Sequence, residues 1–336
     1  MKKSGDNYIK KIVIFFLVLY AVAFTYRFFA YDKKVTVNSE KLELVTTLGD
    51  NQGYHPKVIA FDKPWNGYKY WMAFTPYPHA DCTKENPVIN VSNDMINWTL
   101  PSNMSAPLDI PANVDKVHYN SDTHILYNSE LNRIEVFWRY VNDGDNQATI
   151  YKMTSTDGVN YTEKEVFMYS NDRKAQDYVS PAIIYENGIY RVWYVHRQKA
   201  WYTEIDKSGN MATPRVLNIN YENGYKTWHL DVIYNDKYNK YEMVTVCYQD
   251  VNNRKEMPLF YIESVDNYNW STPKMILSPA TSPSAWDNQG LYRSSVLFEN
   301  DTYYLFYSGH DAVYNVGVGL MCNNNIEKLK NCVKHY

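Results

Sequence analysis

The sequence predicts an all-β fold, a five-bladed β-propeller, preceded by an N-terminal transmembrane helix. Three observations carry the propeller. A Ser-x-Asp-x-x-Asn-aromatic motif stands at Ser92, Asp94, Asn97 and Trp98, and returns at Ser155, Asp157, Asn160 and Tyr161 and at Ser264, Asp266, Asn269 and Trp270. The steps between its aspartates are 63 and 109 positions, the second close to two steps of about 55, and residues 206–210 hold a degraded copy midway. Short β-branched and aromatic runs bounded by Asn, Asp, Gly and Pro recur through the chain, without a convincing amphipathic helix. Finally, Asp50-Asn51-Gln52-Gly53 recurs as Asp287-Asn288-Gln289-Gly290, as expected where a ring closes on itself.

The chain begins with Lys2, Lys3, Lys10 and Lys11, followed by an apolar and aromatic run over residues 12–26. With Arg27 as a snorkelling flank the segment reaches about 20 residues, enough to cross a bilayer. The leading lysines favour a cytoplasmic N-terminus, so the chain divides into a tail and signal-anchor, 1–34, and a propeller domain, 35–336, outside the cytoplasm. Ala21-Val22-Ala23 also fits a signal-peptide cleavage site, which would release the domain as a secreted protein.

The first 34 residues hold seven Lys/Arg against two Asp/Glu, and the remainder 27 against 35. An acidic domain of this kind excludes a nucleic-acid partner. Four cysteines are too few for a disulfide scaffold and lack zinc spacing; Cys322 and Cys332 either close a C-terminal loop or stay buried thiols.

The blades fall at about 54–105, 118–168, 178–216, 227–276 and 290–325, and residues 42–47 are expected to close the ring by pairing into blade 5. Each unit reads as strand, turn, strand, loop, strand, then the Asp-x-x-Asn turn and a last strand. The first strand of each blade should line the channel. Their apolar cores align at Val58-Ile59, Ile125-Leu126, Ile183-Ile184, Val232-Ile233 and Val296-Leu297. Three positions before each core stand His55, Asp122, Ser180, His229 and Arg293; one position before stand Lys57, His124, Ala182, Asp231 and Ser295. Positions two apart share a strand face, so two stacked, mostly polar layers are expected to line a pocket at one channel end. An alternative register in blade 5 exchanges Tyr292 for Arg293.

The strand openings Tyr54-His55-Pro56-Lys57-Val58-Ile59, Ser121-Asp122-Thr123-His124-Ile125 and Val179-Ser180-Pro181-Ala182-Ile183 resemble those of five-bladed propeller glycosidases, glycoside hydrolase families 43 and 32 and their relatives. So do Asn187-Gly188-Ile189-Tyr190 and Asn300-Asp301-Thr302-Tyr303. The resemblance covers residues 45–325 and implies a carbohydrate partner. It also implies a general-base Asp opening blade 1, an orienting Asp in blade 2 and a general-acid Glu in blade 3. Only Asp122 matches; blade 1 has His55 and blade 3 has Ser180.

Glycoside hydrolysis needs two carboxyl groups, and within the expected layers Asp122 and Asp231 are the pair, assisted by His55 or His229. Arg293, His124, Lys57, Ser180 and, in the alternative register, Tyr292 would contact substrate, with Tyr54, Trp228 and Trp71 as candidate sugar platforms. No cofactor is required, although three histidines and two aspartates permit a divalent metal. Glu85 and Glu263 could enter from loops, but no spacing places them. A non-catalytic glycan-binding propeller is the alternative to a membrane-anchored glycosidase.

Overall fold

The computed structural model describes residues 36–250 and 256–333, together with Leu17. The apolar run at 12–26, the anchor and its cleavage alternative therefore lie outside the described residues. Among the described residues no helix is long and apolar enough to cross a membrane.

Among the described residues nineteen strands form five antiparallel sheets in chain order. Blade 1 holds β1 (Gly53–Trp65), β2 (Tyr68–Pro76) and β3 (Val88–Ser92); the expected fourth strand is reduced to a bridge between Val91 and Thr99. Blade 2 holds β4 (His118–Asn128), β5 (Arg133–Asn142), β6 (Gln147–Ser155) and β7 (Glu165–Ser170). Blade 3 holds β8 (Val179–Glu186), β9 (Ile189–His196), β10 (Lys199–Asp206) and β11 (Arg215–Val216). Blade 4 holds β12 (Lys226–Asn235), β13 (Lys240–Tyr248), β14 (Leu259–Ser264) and β15 (Lys274–Leu277). Blade 5 holds β16 (Gly290–Glu299), β17 (Thr302–His310), β18 (Val316–Asn323) and β19 (Lys330–Asn331), the last lying beyond the expected limit of 325.

The first strands β1, β4, β8, β12 and β16 neighbour one another in a closed ring. Each of the five interfaces between blades has its own apolar cluster, from Trp71 and Val136 between blades 1 and 2 to Val58 and Phe306 between blades 1 and 5. Hydroxyl-to-carboxylate bonds cross several of these interfaces: Tyr190 to Glu135 (2.7 Å), Tyr303 to Glu242 (2.7 Å) and Tyr70 to Glu299 (2.9 Å). Closure uses the start of the expected 42–47 segment and the residue before it. Lys41 bridges Gly319, and the Leu42 amide donates to Val318 on the outer edge of β18. Leu42 and Leu44 then bury between blades 5 and 1. The Cys322–Cys332 disulfide fixes β19 beside the same edge.

The repeated motif builds one turn. In each copy the aspartate accepts two main-chain amides and the amide of the Asn side chain: 2.8, 2.8 and 2.6 Å at Asp94, and 2.9, 2.8 and 2.7 Å at Asp157. Asp266 and the degraded copy at Asp206 repeat the pattern. In blade 2 the turn carries Gly158 at φ +74°, where a Cβ would lie 2.1 Å from the buried Trp71 ring. Trp71 is therefore interface packing, not the sugar platform its sequence position suggested.

These amides hold the Asp94 carboxyl below its ordinary range against the opposing effect of burial. A folded-state pKa below the unfolded one stabilises the fold at neutral pH, a contribution lost as pH falls through the carboxylate range. Asp94→Ala is expected to cost about 1 kcal/mol at pH 7 and much less near pH 2, as read from denaturant midpoints.

Candidate active site

Every first strand carries a register shift near its start: between Tyr54 and Lys57, Ser121 and His124, Val179 and Ala182, Thr227 and His229, and Leu291 and Ser294. His55, Asp122 and Ser180 adopt φ of 54°, 48° and 55° there. Such a bulge interrupts the ladder and re-aims a side chain. The layer aligned from the apolar cores is thus the bulge layer, and the structure brings three of its five members together.

His55, Asp122 and His229 each place one ligand-capable atom within 4.8 Å of the other two. His229 Nδ1 is 3.2 Å from Asp122 Oδ1. All three residues line one pocket of about 450 Å³. The Nδ1 of His55 pairs with Thr75 Oγ1 at 2.9 Å, which leaves Nε2 for the pocket and fixes the ring. His229 Nδ1 faces Asp122 Oδ1, and the buried Nε2 of the same ring has no hydrogen-bond partner among the described residues. Buried polar atoms left this way are costly, and one such ring in a cluster of three ligand-bearing side chains fits a missing ligand.

Charge agrees. Burial pushes His55 down to about 3 and lowers His229, so both imidazoles are neutral at physiological pH. Burial works to raise Asp122; the pull of His229 and His55 in their charged forms and of Arg293 outweighs it and lowers the carboxyl, and Arg293 keeps its charge when both imidazoles are neutral. Two neutral imidazoles and one carboxylate are the protonation states a divalent cation requires.

Glu85 completes the pocket. It follows a short 3-10 turn, Cys82–Lys84, capped by Asp81, whose carboxylate accepts the Thr83 amide at 3.1 Å and hydroxyl at 2.7 Å. The side chain is buried; burial, then the Asp122 charge, push its carboxyl well above the usual range. Two carboxyl groups driven apart in proton affinity within one pocket is an acid–base arrangement. Tyr77, Trp228 and Tyr292 form an aromatic wall, with Trp228 Nε1 donating to the Tyr292 hydroxyl at 3.0 Å.

The remaining expected residues have other environments. Asp231 lies outside the pocket lining: both its oxygens accept Lys57 Nζ, at 2.8 and 2.9 Å, and Oδ2 also takes the Val296 amide. His124 bonds Ile183 of the neighbouring strand, and Ser295 Oγ takes the Val58 amide at 3.0 Å. The second layer is a set of buried ties between inner strands, so the two layers do not jointly line a pocket. Ser180 Oγ donates to the Leu230 carbonyl, tying blades 3 and 4. Arg293, 1 % exposed, donates to the Pro181 carbonyl and sits 3.9 Å from Asp122, beneath the pocket rather than in its lining. Tyr54, equally buried, stacks between Tyr77 and Tyr292 as their support. Glu263 pairs with Lys240 at 2.6 Å, away from the pocket.

No protein-family model matches the chain. It is 28% identical over 300 residues to the A type blood N-acetyl-alpha-D-galactosamine deacetylase of Flavonifractor plautii. That match takes in 74% of this chain and 38% of the relative, so the chain spans about two fifths of the relative's length. A crystal structure of an N-acetylgalactosamine deacetylase from F. plautii, in complex with blood group B trisaccharide, superposes with a TM-score of 0.75 at 23% identity. It covers 86% of this chain and 94% of that one. A thermostable family-43 glycoside hydrolase follows at TM-score 0.60 and 11% identity, covering 88% and 96%. An alpha-L-arabinanase of Cellvibrio cellulosa complexed with arabinohexaose has the same TM-score and identity, covering 84% and 96%. The chain is a five-bladed β-propeller that resembles family-43 glycoside hydrolases and shares its fold with an N-acetylgalactosamine deacetylase.

Proposed function

We propose that this propeller is a metal-dependent carbohydrate deacylase, hydrolysing the N-acyl group of an amino sugar in the pocket at one end of its channel. The observation that carries the reading is the triangle of His55, Asp122 and His229, with His229 Nε2 unpartnered among the described residues, beside the buried carboxyl of Glu85. The likeness to the F. plautii deacetylase supports it.

His55, Asp122 and His229 would hold a divalent cation, which when bound supplies a Lewis acid for the acyl carbonyl and lowers the pKa of water. Glu85 takes the proton released as water adds to the carbonyl carbon. It returns that proton to the amide nitrogen as the C–N bond breaks, giving acetate and the free amine. A carboxyl with raised proton affinity suits both transfers near neutral pH. Trp228 and Tyr292 offer an aromatic face to the sugar ring.

Glycoside hydrolysis is the second reading, favoured by the presence of both Glu85 and Asp122 in one pocket. In it Glu85 protonates the leaving oxygen and Asp122 assists water or attacks. Assay of residues 35–336 on N-acetylated oligosaccharides separates the two. Acetate release that chelator abolishes and zinc or manganese restores is expected. Reducing ends without acetate would overturn the deacylase reading in favour of the glycosidase. Saturable binding with neither product would leave a glycan-binding domain.

The same proposal sets the domain outside the cytoplasm on an anchor within residues 1–34. The Cys322–Cys332 disulfide supports an oxidising compartment.

A further inference from the structure

Three arginines stand in the wall of the pocket, and the proposed chemistry at Glu85 makes no use of them. Arg139, Arg173 and Arg197 line it together with Asp177. Arg139 and Arg173 share one carboxylate: Asp177 is paired with Arg139 and accepts Arg173 Nε at 2.7 Å and Nη2 at 3.2 Å. Arg173 has a further partner in Asp143, which lies outside the pocket lining. Arg197 is exposed, and its guanidinium bonds the Lys174 carbonyl, through Nε at 3.1 Å and Nη2 at 2.7 Å. No carboxylate lies within ion-pair distance of it among the described residues. Beside it His196, 3 % exposed, leaves Nδ1 without a hydrogen-bond partner.

Backbone geometry points the same way. Arg197 and Gln198 are the two central residues of the β9–β10 hairpin, at φ 47° and 62°. Asn-Gly is the sequence this turn favours, and an arginine there carries strain. The turn presents a guanidinium to the pocket rim at a conformational cost that a plain connection would avoid.

We infer that this wall is an anion subsite, in which Arg197, backed by Arg139 and Arg173, receives the carboxylate, sulfate or phosphate of a sugar adjoining the N-acylated one. Guanidinium pairs such groups in bidentate fashion, which sets both affinity and orientation. The substrate class is then an acidic, N-acylated glycan. Which sugar carries the anion rests on the deacylase reading; the presence of the subsite does not.

The test therefore measures binding and turnover separately. Calorimetry compares an N-acetylhexosamine–uronic acid disaccharide with its carboxyl-reduced counterpart, and a 6-sulfated N-acetylhexosamine disaccharide distinguishes a sulfate from a carboxylate source. At least tenfold tighter binding of one acidic sugar is expected, weakening as salt rises. Arg197→Asn, which suits the left-handed turn, should reduce that preference at least fivefold, and Arg197→Lys should recover part of it. Equal binding of acidic and neutral sugars by the wild type, or a preference that Arg197→Asn leaves intact, overturns the subsite. Acid-selective binding without acetate release would overturn the deacylase reading alone.

Discussion

Asp231→Ala is expected to destabilise the propeller by about 3–5 kcal/mol, because it leaves the Lys57 ammonium buried beside no counter-charge. Lys57 is 4 % exposed, and burial already lowers its pKa against the pull of Asp231. The Val296 amide loses its acceptor at the same time, so the tie between β12 and β16 fails together with that between β12 and β1. Lys57→Met combined with Asp231→Leu removes both charges and should recover most of the loss, since a buried ion pair is strongly destabilising chiefly when only one partner is deleted. Urea unfolding midpoints read the effect. A variant of normal stability that loses turnover would instead put Asp231 in the chemistry.

The bulge layer was legible because all five first strands share one register, so His55, Asp122 and His229 could be aligned by counting back from their apolar cores. The next layer obeys the same period and is just as polar, yet Lys57 and Asp231 neutralise one another inside the ring. Alternation says which residues share a face; it does not say whether they meet solvent or each other. Glu85 escaped for the opposite reason. It sits on a loop between β2 and β3, fixed by the Asp81 turn, where no period operates. The Asp81-Cys82-Thr83-Lys84 sequence preceding it is a short capping signal that marks an ordered loop. Arg139 was hidden because it lies on a second strand, and Arg197 because its hairpin lacks the usual Asn-Gly. The blade count, in contrast, was carried by the repeated turn, whose aspartates hold backbone amides in three blades as anticipated.

Glu85→Gln is expected to reduce kcat by about 10²–10⁴-fold with little change in KM, since the amide keeps the shape of the carboxyl and removes its proton transfer. Bound metal, measured on the same preparation, should be unaffected, because Glu85 is not part of the His55, Asp122 and His229 triangle. Asp122→Asn makes the complementary case. Asparagine tolerates the left-handed conformation at this position, φ 48°, so the backbone of the bulge is retained while the charge is lost. Alanine would add strain of its own and confuse the reading. Asp122→Asn should lose both metal and turnover, whereas Glu85→Gln loses turnover alone. If the pocket cleaves glycosidic bonds through its two carboxyls, both variants lose reducing-end release and chelation changes neither the wild type nor the variants. A Glu85→Gln enzyme with wild-type kcat would remove Glu85 from either mechanism and leave the triangle to act without a protein acid or base.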